Sequence, residues 1–417
     1  MLADISAAQP AIWFNPLRSQ VGATNLPSSY RGKAIDATAI ATAKARFERF
    51  APLLAEIFPE LASARGTVES ELLPIPSMQS ALGIESTEGS LWLKGDHSLP
   101  VAGSVKARGG FHEVFEFAER LAIEHHLVTE RGDYRLLAQP KARQLYSGYE
   151  IAVGSTGNLG MSIGVMAAAL GFRATVHMSS EAKEWKKTRL RLRGVDVVEH
   201  VGDYEQAVAY GRSVSESNPK CHFVDDEHSE SLFLGYSVAA FHLKHQLLTN
   251  RIRVDAQHPL VVYIPCGVGG APAGIAWGLH HVFGGNVHCF FAEPVQSPCF
   301  LVRMLADDDA RPSVYDIGLN NRTIADGLAV PRASELAAMS MESVVAGVFT
   351  VEDATLIKNL KLLHQSEGIQ IEPSAAAGFS GPVWLRGNPL ASNATTHVVW
   401  TTGGALMPES ELKQILG

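Results

Sequence analysis

The feature that most restricts the fold is a regular alternation that begins near residue 149. Strand-like "EIAVG" (150–154) is followed by an apolar helix over 159–170, then "RATVHM" (173–178) and a helix over 182–193. "VDVVEH" (195–200), a helix over 203–217, "CHFV" (221–224) and a helix over 231–248 complete the run. Short strands joined by helix-length crossovers pair in parallel, with right-handed connections. A second series opens at "LVVYIPCG" (260–267). It continues through a helix over 271–283, "VHCFFAE" (287–293) closed by Pro294, an irregular region over 296–330, and a helix over 352–366. "IEPSAAAG" (371–378) and a strand "HVVWTT" (397–402) end it. Ahead of both lie an irregular stretch over 1–35, an amphipathic helix over 35–58, a short strand "LWLK" (91–94), a helix over 105–126 and a polar stretch over 128–148. At 417 residues the chain exceeds what one core usually serves. The expected architecture is α/β, each domain a mostly parallel sheet flanked by helices. A small domain over 149–249 is inserted in a large one built from 1–148, with its N-terminal segment 1–75, and 250–417.

Composition narrows the partners. Hydrophobic residues make up 46% and charged residues 19%, and the net charge is −8. An acidic balance argues against nucleic acid, whose phosphates call for a basic surface. No apolar run approaches the ~18 residues of a membrane span, and the N-terminus "MLADISAAQPAIWFNP" lacks the basic and apolar regions of a signal peptide. The expectation is a cytoplasmic enzyme for a small molecule, with no membrane or nucleic-acid partner, working as a monomer or homodimer. Cys221, Cys266, Cys289 and Cys299 form no C-x-x-C pair and read as free thiols.

Four glycine-bearing turns concentrate the chemistry, three of them at strand ends, where ligands of open α/β sheets collect. "GSTGNLG" (154–160) opens a helix, whose free N–H groups and dipole suit a carboxylate or phosphate. Ser155 and Thr156 add hydroxyls and Asn158 an amide; helix capping by Ser or Thr is the alternative. "PCGVGGAPAG" (265–274) has glycines at 267, 269 and 270 that let successive N–H groups turn inward around an anion. It lacks the lysine of an ATPase loop, which favours a compact monophosphate over a plain tight turn. In "TTGGA" (401–405), Thr401 and Thr402 face opposite sides, so one hydroxyl can meet a ring nitrogen. In "GSVKARGG" (103–110), Lys106 starts a helix, and the small Gly103, Ser104 and Ala107 allow a flat ligand to approach its amine. A nucleophilic lysine must lose its proton, which a confined, partly apolar setting favours; a solvated helix lysine is the alternative. Arg108 has no assigned role beyond a solvated or ion-paired residue. Together the four turns supply what pyridoxal phosphate needs: an imine-forming amine, a phosphate cradle and partners for the ring oxygen and nitrogen.

"GSVKARGG", "VGSTGNLG", "PCGVGG", "AEPVQSPC", "ADGLAV", "EPSA" and "VVWTTGGA" stand in an order that resembles the D-serine dehydratases, members of the tryptophan-synthase-β-like (fold type II) pyridoxal phosphate enzymes. "WKKTRLRLRGVDVVEH" (185–200) and "FVDDEHSESLFLGYSVAA" (223–240) resemble that branch too. The resemblance runs from about residue 90 to 410. It implies that Lys106 holds the cofactor as an imine, that Asn158 meets the ring hydroxyl, and that the amides of Gly267, Val268, Gly269 and Gly270 cradle the phosphate. Thr402 is implied to face the ring nitrogen. Ser155, Thr156 and the Gly157 amide are implied to take the substrate carboxylate. It also implies a monovalent cation, potassium being the expected one, with Glu293 its single ligand candidate. Asp225 is a second candidate base beside Lys106, or else a turn acid. Departures from the family pattern are Ala271 and Ala273 in the glycine loop, Ala405 after the last turn, and the order of His97 and Ser98.

The activity implied is β-elimination of D-serine to pyruvate and ammonia, with D-threonine to 2-oxobutanoate as an extension. The alternatives are a related lyase acting on L-serine, L-threonine or diaminopropionate, and a non-catalytic protein that keeps the fold.

Overall fold

The computed structural model describes residues 1–20, 29–30, 33–155, 157–201, 204–307 and 310–416. The strands form two main sheets. Glu150–Gly154, Arg173–Ser179, Asp196–His200 and Cys221–Val224 make a four-stranded, wholly parallel sheet in which Arg173–Ser179 and Cys221–Val224 flank Glu150–Gly154, with Asp196–His200 at one edge. This sheet lies entirely within the alternating run read from the sequence.

The second sheet has seven strands in the order Ile12–Phe14, Gly347–Val351, Val287–Pro294, Leu260–Pro265, Thr396–Thr401, Ser90–Gly95, Leu72–Pro74. The inner five pair in parallel, and the first and last run antiparallel along the edges. Leu260–Pro265 is buried throughout, as a central parallel strand covered on both faces must be. Its side chains alternate between two cores: Leu260, Val262 and Ile264 join one, Val261 and Tyr263 the other.

Helices interlock the sheets. Lys106–Glu124, from the chain before the small sheet, packs on Asn158–Leu170 and Glu230–Ser237, and Glu230–Ser237 also packs on Gly270–Phe283. The helix layer is therefore shared, although the strands divide cleanly.

Several elements differ from the sequence reading. The helix expected over 231–248 is two, Glu230–Ser237 and Ala239–Thr249. The Ser237 hydroxyl donates back to the Leu234 carbonyl at 2.6 Å, a contact that bends helices. The polar stretch 128–148 contains the helix Pro140–Tyr146, started by a proline and anchored by buried Tyr146. Strand Gly347–Val351 and helix Cys299–Met304 were not foreseen. Each is only five or six residues long, too short for periodicity to distinguish.

Candidate active site

Lys106 is the first residue of its helix. The loop before it is tied to the end of strand Thr396–Thr401: Val105 N–H donates to the Thr402 carbonyl at 2.8 Å, and Ser104 bridges Gly403. Gly103 sits at φ +61°, and a Cβ there would overlap Leu406. Ser104 and Ala107 are fully buried. The small residues around Lys106 thus serve backbone geometry and packing more than clearance for a ligand. The same holds further on. A Cβ at Gly109 would lie 2.5 Å from Tyr236 Cζ, and one at Gly110 3.0 Å from Ser162 Cβ. These glycines let Glu230–Ser237 and Asn158–Leu170 close onto the lysine helix.

Lys106 lines a cleft that the strand ends surround. Gly267, Val268 and Gly269 line it, and the helix Gly270–Phe283 begins there with no side chain capping its N-terminus. Gly269 at φ +103° has Ala337 Cβ 2.9 Å from where its own Cβ would be, so the turn requires glycine. Uncapped N–H groups at a helix start form an anion site. Ala271 and Ala273, the two departures in this loop, are buried in the apolar core.

Two buried polar atoms in the cleft lack a partner: Thr402 Oγ1 and Asp226 Oδ1. Thr401 faces the other way, its hydroxyl 3.0 Å from the Lys94 carbonyl and 2.8 Å from His97 Nδ1. A buried hydroxyl without a partner costs stability unless a ligand supplies one. A ring nitrogen at Thr402 and a phosphate at the glycine turn fit these residues.

The carboxylate that reaches the lysine is Asp226: its Oδ2 accepts from Lys106 Nζ at 3.1 Å. Asp225, the second candidate base of the sequence reading, pairs with Arg212 at 2.7 Å and accepts the Glu227 N–H, the behaviour of a turn acid. Successive residues point in different directions, and a pair of aspartates gives no local signal of which faces inward. Tyr236 was also unforeseen; its ring lies 5.9 Å from Lys106 Nζ and its buried hydroxyl is unpartnered.

At the first turn, Ser155 Oγ accepts the N–H groups of Gly157 at 3.2 Å and Gly160 at 3.0 Å, so it caps the helix. Its O–H remains a donor. The Gly157 amide, expected to meet a substrate, is directed at Ser155. Thr156 lies outside the described residues. Asn158 Nδ2 donates to Glu372 Oε1 at 2.8 Å, which fixes the amide and leaves Oδ1 for other contacts. Glu372 lies in the "EPSA" stretch, where residue type alone assigns it no role. Burial pushes its carboxyl up, against the pull of nearby Lys186. Lys186 and Asp326, also unforeseen, line the cleft as an ion pair at 3.0 Å.

Glu293 is wholly buried at the end of its strand. Its two oxygens accept the N–H groups of Phe300 at 2.7 Å and Leu301 at 2.9 Å, and burial pushes it up to about 8. It caps the short helix Cys299–Met304. Among the described residues no group of three or more His, Cys, Asp or Glu is placed to hold a metal ion, and no helix is long and apolar enough to cross a membrane.

A ligand that uses both a lysine amine and a cradle for one compact phosphate is pyridoxal phosphate. The fold and the cleft together define a two-sheet α/β enzyme of that cofactor. Comparison with known proteins takes this further. The family described as "Pyridoxal-phosphate dependent enzyme" matches residues 65–403. A probable D-serine dehydratase of Acidovorax sp. (strain JS42) is 56% identical over 421 residues, covering 97% of this chain and 93% of that protein. One of Sinorhizobium medicae (strain WSM419) is 49% identical, covering 99% and 96%. Holo diaminopropionate ammonia lyase from Escherichia coli shares the fold, with a TM-score of 0.75 at 16% identity over 98% of this chain and 97% of that one. So does threonine deaminase isoform 2 from Solanum lycopersicum, at 0.63 and 18% over 94% and 98%. The chain belongs to the pyridoxal-phosphate dependent enzymes, within the D-serine dehydratase family.

Proposed function

We propose that this enzyme eliminates water from D-serine and releases pyruvate and ammonia. The observation that carries the reading is the Lys106–Asp226 pair, 3.1 Å apart, opening into the same cleft as the uncapped glycine turn.

Lys106 would hold the cofactor through its amine, the turn Gly267–Gly270 would take the phosphate, and Thr402 and Asn158 would meet the ring nitrogen and ring hydroxyl. When bound, the cofactor supplies an electron-withdrawing ring that spreads negative charge developing at the substrate Cα. When it is not holding the cofactor, the Lys106 amine would serve as the base for the substrate Cα proton. Asp226 Oδ2 orients it and stabilises its ammonium form after it takes the Cα proton. The Thr402 hydroxyl is neutral and does not hold a ring nitrogen protonated as a carboxylate would, which favours elimination over racemisation. Loss of the Cα proton and the β-hydroxyl amounts to loss of water. The enamine that remains hydrolyses to pyruvate and ammonia.

Finer elements belong to the same proposal: a large domain over 1–148 and 250–417 around a small one over 149–249, turnover of D-threonine, and a monovalent cation such as potassium. No step above uses the ion; equal rates in potassium and tetramethylammonium salts would dispose of it. The decisive experiment is pyruvate release from D-serine and L-serine by wild type and Lys106→Ala. The expected result is D-serine turnover that vanishes in the variant. Activity retained without Lys106 overturns the mechanism, and faster turnover of L-serine overturns the substrate.

A further inference from the structure

The cleft contains a second lysine whose setting the mechanism does not explain. Lys186 comes from the helix Glu184–Leu192, and its side chain is 4% exposed. Burying an ammonium costs several kcal/mol unless an anion stays beside it. Its partner, Asp326, reaches it at 3.0 Å from the short helical turn Asp326–Leu328, yet the Asp326 side chain is 41% exposed. The pair is asymmetric: the lysine must keep an anion, while the aspartate can return to water at small cost.

The position of that ammonium gives it a use. A Cβ built on Gly157 would lie 3.5 Å from Lys186 Nζ, so the lysine stands against Gly157. Among the described residues that line the cleft, Lys106 and Lys186 are the cations, against the carboxyl groups of Asp226, Asp326 and Glu372. Lys106 is already paired with Asp226 and is committed to the cofactor. Without Lys186 the carboxyl groups of Asp326 and Glu372 would face an anionic substrate with no free cation beside them among the described residues. Asp326 and Glu372 outweigh the effect of burial and raise the Lys186 pKa, so the ammonium stays charged.

We propose that Lys186 supplies the positive charge that recognises the substrate carboxylate beside Ser155, and that the incoming carboxylate takes it over from Asp326. The inference rests on the reading of this cleft as an amino-acid site. Exchange of one carboxylate for another leaves the buried charge paired throughout, and the displaced Asp326 is rehydrated at the cleft mouth. The interaction selects amino acids with a free carboxylate and disfavours amides, esters and amino alcohols of the same configuration.

The test uses holoenzyme and follows ligand binding by the change in cofactor absorption, not by turnover. D-alanine and D-alaninamide share the D-serine skeleton without a leaving hydroxyl and differ only in the carboxylate. Lys186→Met is expected to weaken D-alanine roughly 10- to 100-fold, the range of a hydrogen bond between charged groups, and to leave D-alaninamide nearly unchanged. Asp326→Asn is expected to tighten D-alanine and not D-alaninamide, because a competitor is removed and the buried Lys186 ammonium is left in need of an anion. Equal losses for both ligands in Lys186→Met, or weaker D-alanine binding in Asp326→Asn, would overturn the proposal; if Lys186→Met does not fold, the Asp326→Asn result decides alone. Failure of the underlying reading looks different: wild type would then bind neither ligand and release no pyruvate from D-serine.

Discussion

Arg108, two residues beyond the cofactor lysine, offers the sharpest test of how the site is held. It is 3% exposed and grips Asp96 with two bonds, Nε to Oδ2 at 2.6 Å and Nη2 to Oδ1 at 2.7 Å. It also reaches Glu69, Nη2 to Oε1 at 2.6 Å, and Lys94 Nζ binds the same oxygen at 2.5 Å. Trp400 Nε1 donates to Asp96 Oδ2 at 2.8 Å. Two cations face two carboxylates, and the buried cluster is neutral. Arg108→Met keeps most of the stem and removes one charge, so Lys94 is left against both Glu69 and Asp96. Breaking a buried pair from one side costs about 3–5 kcal/mol, and that loss is expected in urea unfolding followed by tryptophan fluorescence. Burial pushes the Glu69 carboxyl up, but Arg108 and Lys94 together hold it well below the usual carboxylate range. Without Arg108 it rises, so the penalty shrinks at acidic pH. Adding Asp96→Asn to Arg108→Met should recover more than ~1 kcal/mol, as coupled residues do. A single-variant loss below ~1 kcal/mol, or strictly additive losses, would refute the cluster as the anchor of the lysine helix.

Other expectations follow from the same geometry. Asp226→Asn should retain the cofactor absorption band while pyruvate formation falls roughly 10²–10⁴-fold, the usual contribution of a positioned acid–base group; a loss under about tenfold would remove Asp226 from the chemistry. Gly109→Ala places a methyl 2.5 Å from Tyr236 Cζ and 2.9 Å from the Leu232 carbonyl. It should cost ~1–3 kcal/mol as an overpacked core, whereas Gly285→Ala, with nothing within 4 Å, should stay within ~0.5 kcal/mol by urea unfolding. Burial lowers His97 from 6.5 to about 4 despite nearby Asp96. Its contribution is therefore present above pH 6.5 and lost as pH falls towards 4, about 2 kcal/mol between pH 7 and 5. Wild type and His97→Gln unfolded at both pH values should differ by that amount in slope, and identical slopes reject the assignment.

Much of the framework was legible in the chain because it depends on local properties. Apolar strands of four to seven residues joined by helix-length segments are read within one window, and "EIAVG" through "CHFV" form the small sheet as expected. The glycine turn at 267–270 is legible for the same reason, since a left-handed residue such as Gly269 leaves its mark in the sequence. Short elements were missed: Gly347–Val351 and the edge strands have three to five residues, and Ile12–Phe14 finds its partner Gly347–Val351 across most of the chain. Glu293, expected as a metal ligand, turns both oxygens to the start of a helix that the sequence reading had left irregular.

The site divides along the same line. Lys106, the glycine turn and the threonine pair were set by residue type and spacing, which the chain carries in itself. Which aspartate of 225 and 226 meets the lysine was decided 120 residues away from it, by how the strand Cys221–Val224 and the lysine helix pack. The partners of Arg108 and Lys186 were decided likewise, across 39 and 140 residues. Backbone preference acts between neighbours in sequence and can be read there. Charge pairing acts between neighbours in space, and only the packed core brings those groups together.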